Sequence, residues 1–256
     1  MTDQVVWITG ASAGIGKAIA QEYHRRGWHV VLSARSAGKL EAIAEDLGSR
    51  VTVLPIDVTD RSQIASAVCE IRQHLGRLDL LVNNAGISQR SKIIDTEIHV
   101  FRRLMEVNYL GSVQTTKIAL DLLLETKGHV AVISSVAGKI GAPLRSGYAA
   151  SKHALHGFFD CLRAEHHRDG LGVTIVCPGY VNTDVDVNAL GNDGKPTGNE
   201  DADNRNGLSP DEVARRMANA IAKNKAEIYI GGKEVLAIYL KRYVPGVLRR
   251  LLANRS

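Results

Sequence analysis

Short runs of aliphatic and β-branched residues alternate along the chain with longer segments whose apolar positions recur every three or four residues. The short runs are Val5–Thr9, His29–Ser33, Val51–Ile56, Leu80–Val82, Val130–Ile133, Val173–Cys177 and Ile228–Ile230. The longer segments are Ala13–Arg26, Lys39–Leu47, Gln63–Leu75, Glu97–Tyr109 followed by Ser112–Leu124, Tyr148–Arg168 and Pro210–Lys223. Strands that are apolar throughout need cover on both faces, which is how parallel sheets are built. With right-handed crossovers, the pattern predicts an α/β fold of Rossmann type: a doubly wound, seven-stranded parallel sheet in three α/β/α layers.

Two stretches break the rhythm. Asp184–Ser209 is rich in Gly, Asn and Asp and has no hydrophobic period. A connection of that length reads as a structureless lid over a substrate. From Lys233 to Ser256 the apolar residues Leu236, Tyr239, Leu240, Tyr243, Val244, Val247, Leu248, Leu251 and Leu252 fall on one helical face, which Pro245-Gly246 must kink or split. Lys241, Arg242, Arg249 and Arg250 lie off that face, so the stretch is a basic amphipathic extension. It either packs on the body or a partner subunit, or lies on an anionic lipid surface. The length fits one domain over residues 1–256.

The net charge of +5 resides in that extension, where six Lys/Arg face one acid; the rest of the chain is balanced. A dispersed basic face with interleaved aromatics is absent from the pattern, which argues against a nucleic-acid partner. Cys69, Cys161 and Cys177 are widely spaced and odd in number, so a reducing compartment is expected rather than a disulfide framework. No basic, apolar leader precedes Val5, and no run approaches the ~20 apolar residues of a membrane span. A cytoplasmic location is expected, with peripheral membrane contact through the extension as the alternative.

The first strand runs into Gly10, Ser12, Gly14, Ile15 and Gly16 and then into a helix. Glycines there permit a tight turn and let backbone N–H groups and the helix terminus approach a pyrophosphate. At the end of the second strand, where NAD-binding chains carry a carboxylate for the ribose, this chain has Arg35. A guanidinium pairs bidentately with a 2′-phosphate, so NADP(H) is favoured, with NAD(H) as the alternative. Asp57, Val58 and Asn84 follow predicted strands at the carboxyl edge, where open α/β sheets bind ligands. An isolated Asp or Asn there also reads as a turn former.

Tyr148 and Lys152 are four apart at the start of a predicted helix and share a face. A free tyrosine titrates near ~10, so bringing it toward neutrality takes about 4 kcal/mol of differential stabilisation of the phenolate. The Lys152 ammonium and a positive nicotinamide ring act in that direction. Ser135 follows the fifth strand and reaches the same edge, where its hydroxyl could hold a substrate oxygen against Tyr148. Asn108 sits inside a predicted helix and is read as carrying a water that links Lys152 to solvent. His153, His156, His166 and His167 share a predicted helix without a carboxylate or cysteine at metal spacing, so they read as surface or interface residues and no metal is expected.

Taken in order, Thr9 to Gly16, Asn83-Asn84-Ala85-Gly86, Asn108, Ser135, Tyr148-xxx-Lys152 and Pro178-Gly179 resemble the short-chain dehydrogenase/reductase family in its compact form. The resemblance spans Val5 to Tyr229. It implies that Asn108, Ser135, Tyr148 and Lys152 form a catalytic tetrad, that Lys152 also binds the nicotinamide ribose, and that Val181 and Thr183, after Pro178, contact the carboxamide. It also implies a homo-oligomer, dimer or tetramer. One departure bears on the cofactor: the basic residue that many NADP-using members carry before the second motif glycine is Ala13 here. The extension and Arg145–Leu162 resemble the branch that includes acyl/alkyl-dihydroxyacetone-phosphate reductases. The expected activity is interconversion of a ketone or aldehyde and an alcohol by hydride transfer, on a lipid-like or 3-oxoacyl substrate. The alternatives are an NAD-dependent alcohol or steroid dehydrogenase and a scaffold that binds NADP(H) without turnover.

Overall fold

The computed structural model describes residues 4–199 and 202–253. The outermost ends of the expected 1–256 domain, residues 200–201 of the expected lid and residues 254–256 of the extension lie outside them. The strands are β1 (Val5–Thr9), β2 (His29–Ser33), β3 (Val51–Val53), β4 (Leu80–Asn83), β5 (His129–Ile133), β6 (Gly172–Pro178) and β7 (Glu227–Ile230). They form one parallel sheet in the order β3-β2-β1-β4-β5-β6-β7, as the alternation predicts. The chain reverses direction of travel across the sheet between β1 and β4, and this opens a crevice at the carboxyl ends of the strands.

The helices are α1 (Gly14–Arg25), α2 (Ala37–Leu47), α3 (Arg61–His74), α4 (Ile98–Met105), α5 (Gly111–Glu125), α6 (Ser146–Glu165), α7 (Ala202–Arg205), α8 (Pro210–Ala222), α9 (Leu236–Tyr243) and α10 (Pro245–Ala253). Alternate residues of each strand point to opposite faces, and both faces are covered. Ile8, Leu32 and Val82 pack with Ile19 of α1, Leu40 of α2 and Met217 of α8. Trp7, Val31 and Leu81 pack with Ile71 of α3, Leu122 of α5 and Phe159 of α6.

The structure departs from the sequence pattern in four places. β3 stops at Val53 rather than Ile56, although Leu54 N–H and Ile56 N–H still reach the Leu32 and Ala34 carbonyls at 3.0 and 3.2 Å. α4 and α5 are continuous through a π-helical turn at Glu106–Leu110, which turns Asn108 fully inward. The extension splits into α9 and α10 at Val244, just before Pro245. Residues 184–199 and 202–209 are folded rather than structureless: Leu190 bridges Gln89 and Pro196, Val181 bridges Leu208, and Asp186, Ala189 and Leu190 are buried.

Candidate functional site

The crevice is a cavity of about 1390 Å³. Of the residues singled out from the sequence, all but Asn108 line it. Its inner end is the glycine turn. Gly10 and Gly14 have φ of 67° and 53°, in the left-handed region, and a Cβ on Gly16 would lie 2.2 Å from the Gly10 carbonyl oxygen. Asn84 Nδ2 donates to the carbonyl oxygens of Thr9 and Gly10, both at 3.0 Å. Thr9 Oγ1 accepts the N–H groups of Asn84 and Ala85 at 3.1 and 3.2 Å. Asn84 therefore braces the turn as well as lining the cavity. The first turn of α1 lines the cavity with Gly14, Ile15 and Gly16, and no side chain caps it at Ala13. A bare turn of helix N–H groups suits a phosphate.

At the end of β2, Arg35 is exposed on the cavity wall and, among the described residues, makes no ion pair. Lys39, four residues on in the first turn of α2, lines the same wall. Sequence reasoning missed Lys39, although its spacing from Arg35 on a predicted helix start was a usable signal. Asp57 is both turn former and wall: its Oδ1 accepts from Thr59 N–H at 2.9 Å and Thr59 O–H at 2.8 Å. Buried Val58 is wedged against Gly111, where a Cβ would lie 2.8 Å from Val58 Cγ2. Across the cavity, Val181 and Thr183 stand after Pro178, and Thr183 Cγ2 would lie 3.1 Å from a Cβ on Gly14.

In the middle of the cavity Tyr148, Lys152 and Ser135 converge. Ser135 acts on the Tyr148 phenol in the direction that lowers its value. Ser135 Oγ also contacts the Pro178 carbonyl at 3.3 Å and accepts from Ala137 N–H at 3.1 Å. Lys152 is buried, donates to the Ile133 carbonyl at 2.7 Å and lies 5.7 Å from the Tyr148 ring centroid. Burial lowers the Lys152 ammonium to about 8. The expected depression of Tyr148 by Lys152 is not what the structure has. Burial raises the phenol above its ordinary value, and Arg145 and Ser135 only partly oppose it.

Asn108 Oδ1 accepts from Ile87 N–H at 2.8 Å, and its Nδ2 donates to Ile87 O and Ser151 Oγ, both at 2.9 Å. The side chain pins the turn after β4 to α6. Gly86 fits between: a Cβ there would be 3.2 Å from Asn108 Oδ1 and 3.5 Å from Lys152 Nζ.

Two further residues were missed. Gln89 is buried, and its Oε1 accepts the N–H groups of Gly147 and Tyr148 at 2.7 and 3.3 Å, holding the start of α6. Arg145 pairs with buried Asp186 at 2.9 Å, and Asp186 is hydrogen-bonded by Asn204 of α7. These contacts join segments 41 and 18 residues apart, and no local pattern announces them.

The outer end is apolar. Leu236, Leu240, Leu248, Leu251 and Leu252 of the extension line it with Ile140. Leu248 is buried against Val136 and Ile140, and Lys241 Nζ donates to the Lys139 carbonyl at 2.6 Å. The extension thus packs on the body, but only partly: Leu236, Tyr239, Tyr243, Val244, Val247 and Leu251 remain exposed. No helix among the described residues is long and apolar enough to cross a membrane.

The reading of the α6 histidines as surface or interface residues fails for His156. It is buried and lies with Cys177 and Glu227, residues distant in sequence that the sheet brings together.

A family model described as short chain dehydrogenase matches residues 4–193. The chain is 41% identical over 263 residues to dehydrogenase/reductase SDR family member 7B of Bos taurus, covering 98% of this chain and 81% of the relative. An alcohol dehydrogenase from Thermococcus sibiricus, complexed with 5-hydroxy-NADP, superimposes with a TM-score of 0.77 at 28% identity, covering 90% of this chain and 97% of that one. A short chain dehydrogenase/reductase from Burkholderia phymatum, in complex with NAD, shares the fold with a TM-score of 0.85 at 24% identity, over 96% of this chain and 95% of that one.

Proposed function

The chain belongs to the short-chain dehydrogenase/reductase family, oxidoreductases that act on CH–OH groups with NAD(P), and on that premise we propose an NADP(H)-dependent reductase of ketones that bear an apolar chain. The observation that carries this reading is the convergence of Tyr148, Ser135 and Lys152 midway between the glycine turn and an apolar cavity end. The uncapped α1 turn and the crowding at Gly16 fit a dinucleotide pyrophosphate, and Arg35 with Lys39 fits a 2′-phosphate.

When bound, the nicotinamide supplies the hydride and, once oxidised, a positive charge that favours a phenolate. Ser135 Oγ holds the substrate carbonyl oxygen beside the Tyr148 phenol, and Tyr148 gives that oxygen its proton as negative charge develops. Lys152, close to the ring and drawn down by burial, supports the phenolate that remains. Asn108 acts as a positioning residue, through Ile87 and Ser151. Residues 184–209 close the wall through the Arg145–Asp186 pair, and the extension sets an apolar entrance.

The test is a fluorescence titration of the purified chain with NADPH and NADH, followed by turnover on ketones graded in chain length. Tighter NADPH binding, with kcat/KM rising with chain length, is the expected result. A Tyr148→Phe variant should keep NADPH affinity within a few-fold and lose about 10²- to 10⁴-fold in kcat. Turnover that survives this change intact would refute the acid/base assignment.

A further inference from the structure

Behind the wall that carries Ser135, and outside the cavity, lies a second constellation on three elements: His156 of α6, Cys177 of β6 and Glu227 of β7. Their ligand atoms lie within 4.8 Å of one another. Cys177 Sγ is 3.4 Å from Glu227 Oε1, and His156 Nδ1 is 3.7 Å from the same oxygen. Donors bound to one zinc-like ion at ~2.0–2.3 Å stand ~3.3–3.6 Å apart in tetrahedral geometry; Cys177 Sγ lies 3.8 Å from His156 Nε2, so the imidazole must shift to bring Nδ1 onto a shared ion.

The hydrogen bonding leaves one of these donors unused. The Ser134 hydroxyl donates its single proton to the Lys152 carbonyl at 3.2 Å. With the proton placed there, its 3.0 Å contact with His156 Nε2 is one in which Nε2 donates, the tautomer that leaves the Nδ1 lone pair free for a ligand. Nδ1 is buried with no hydrogen-bond partner. It faces the Glu227 carboxylate at 3.7 Å, whose own donors are the Cys177 thiol and the Lys139 ammonium, so neither of these reaches Nδ1. A buried acceptor left in that position is costly unless something positive takes it up.

We propose that His156 Nδ1, Cys177 Sγ and Glu227 Oε1 form a binding site for a divalent cation of the zinc class. Thiolate and imidazole donors select a borderline-soft ion over calcium or magnesium. On binding, the Cys177 thiol releases its proton to solvent as the sulfur–metal bond forms. The imidazole contributes its lone pair and keeps the Nε2 hydrogen on Ser134, the outer hydrogen bond that orients a ligating histidine. Thiolate and carboxylate together balance the charge of the ion.

One group stands in the way. Lys139 Nζ pairs with Glu227 Oε1 at 2.8 Å. Lys139 and Glu227 are 25% and 28% exposed, so the ammonium can swing into water and open a path for the ion. Lys139 thus competes with the cation for the carboxylate, and its removal should tighten binding.

The experiment is titration of the metal-free full chain with Co²⁺, read by thiolate-to-cobalt charge-transfer absorption, followed by displacement with Zn²⁺. The expected result is a band that saturates at one Co²⁺ per chain and is bleached by Zn²⁺. It should persist when Cys69 and Cys161 are both changed to Ser, and vanish in Cys177→Ser. Lys139→Gln, a change at a partly exposed side chain, should tighten Co²⁺ by about tenfold. No saturable band in the unmodified chain would overturn the site, as would a band that follows Cys69 and Cys161. Unchanged affinity in Lys139→Gln would overturn it too, even if Cys177→Ser failed to fold.

Discussion

The inner end of the cavity is held by groups a few residues apart at strand ends and helix starts, whereas the outer end is held by ties between segments far apart in the chain. Gly10, Gly14 and Gly16 occupy one turn, and Arg35 and Lys39 one strand end and helix start. Arg145, Asp186 and Asn204, by contrast, meet only when α6, residues 184–199 and α7 are all in place. Leu248 reaches Ile140 only when the extension folds back over the body. Backbone geometry enforces the first end, while side-chain contacts that can be lost singly enforce the second. The inner end should therefore fail abruptly under substitution and the outer end gradually.

The largest effect is expected at Lys152, where the two ends meet. Burial holds its folded-state value near 8, below the ordinary 10.5. A lowered value means that the unfolded chain binds the extra proton, so this group's contribution to stability is greatest above pH 10.5. It is lost as pH falls through 8. Lys152→Met should therefore raise the unfolding free energy at pH 7 by up to on the order of 3 kcal/mol. The gain should shrink between pH 8 and 10.5 while turnover is lost. Denaturant melts across that range would contradict the account if the variant were less stable at pH 7.

Next in size is Gly16→Ala. Its Cβ would meet the Gly10 carbonyl at 2.2 Å, and backbone has little room to yield. Overpacking of that kind costs about 1–3 kcal/mol, so NADPH affinity should fall roughly 10- to 100-fold. Gly157→Ala, in the exposed part of α6 with nothing within 4 Å, is the matched control and should be neutral or stabilising. Equal losses from both would remove the steric argument. Arg35→Ser should follow, weakening NADPH by about tenfold while leaving NADH unchanged. A parallel loss of both nucleotides would mean that Arg35 supports the loop rather than a 2′-phosphate.

The same contrast explains what the sequence could disclose. The seven strands and the candidates from Gly10 to Lys152 were legible because strand period, turn chemistry and i,i+4 spacing are local properties. The π-helical turn at Glu106–Leu110 could not be foreseen, because it is fixed by the fit of Gly111 against Val58 and of Asn108 against Ile87. The segment from Asp184 to Ser209 looked structureless because the order of its described residues comes from Gln89 and Arg145, outside it, rather than from a period of its own. His156, Cys177 and Glu227 stayed separate in the sequence for the same reason. They are neighbours only through the parallel register that sets Cys177 beside Tyr229 and through the packing of α6 on β6.

The smallest predicted effect is the most selective between the two ends. Arg145→Ala leaves the glycine turn, Arg35 and Asn84 untouched, and removes the partner of Asp186. Asp186 keeps its bond from Asn204, so residues 184–209 lose one anchor of several rather than their fold. Arg145 also opposes, from nearby, the rise that burial imposes on the Tyr148 phenol, so its loss lets that rise grow. The two consequences separate in the kinetics. A loosened wall raises KM for the ketone by roughly 3- to 10-fold, the worth of about one ordinary hydrogen bond. A higher phenol value moves the alkaline side of the pH profile of kcat upward. NADPH affinity should stay within a factor of about two, because no nucleotide-side group has moved. If NADPH affinity fell as far as ketone affinity, the two ends would be one mechanical unit, and the division between locally and remotely fixed groups would not describe how the cavity works.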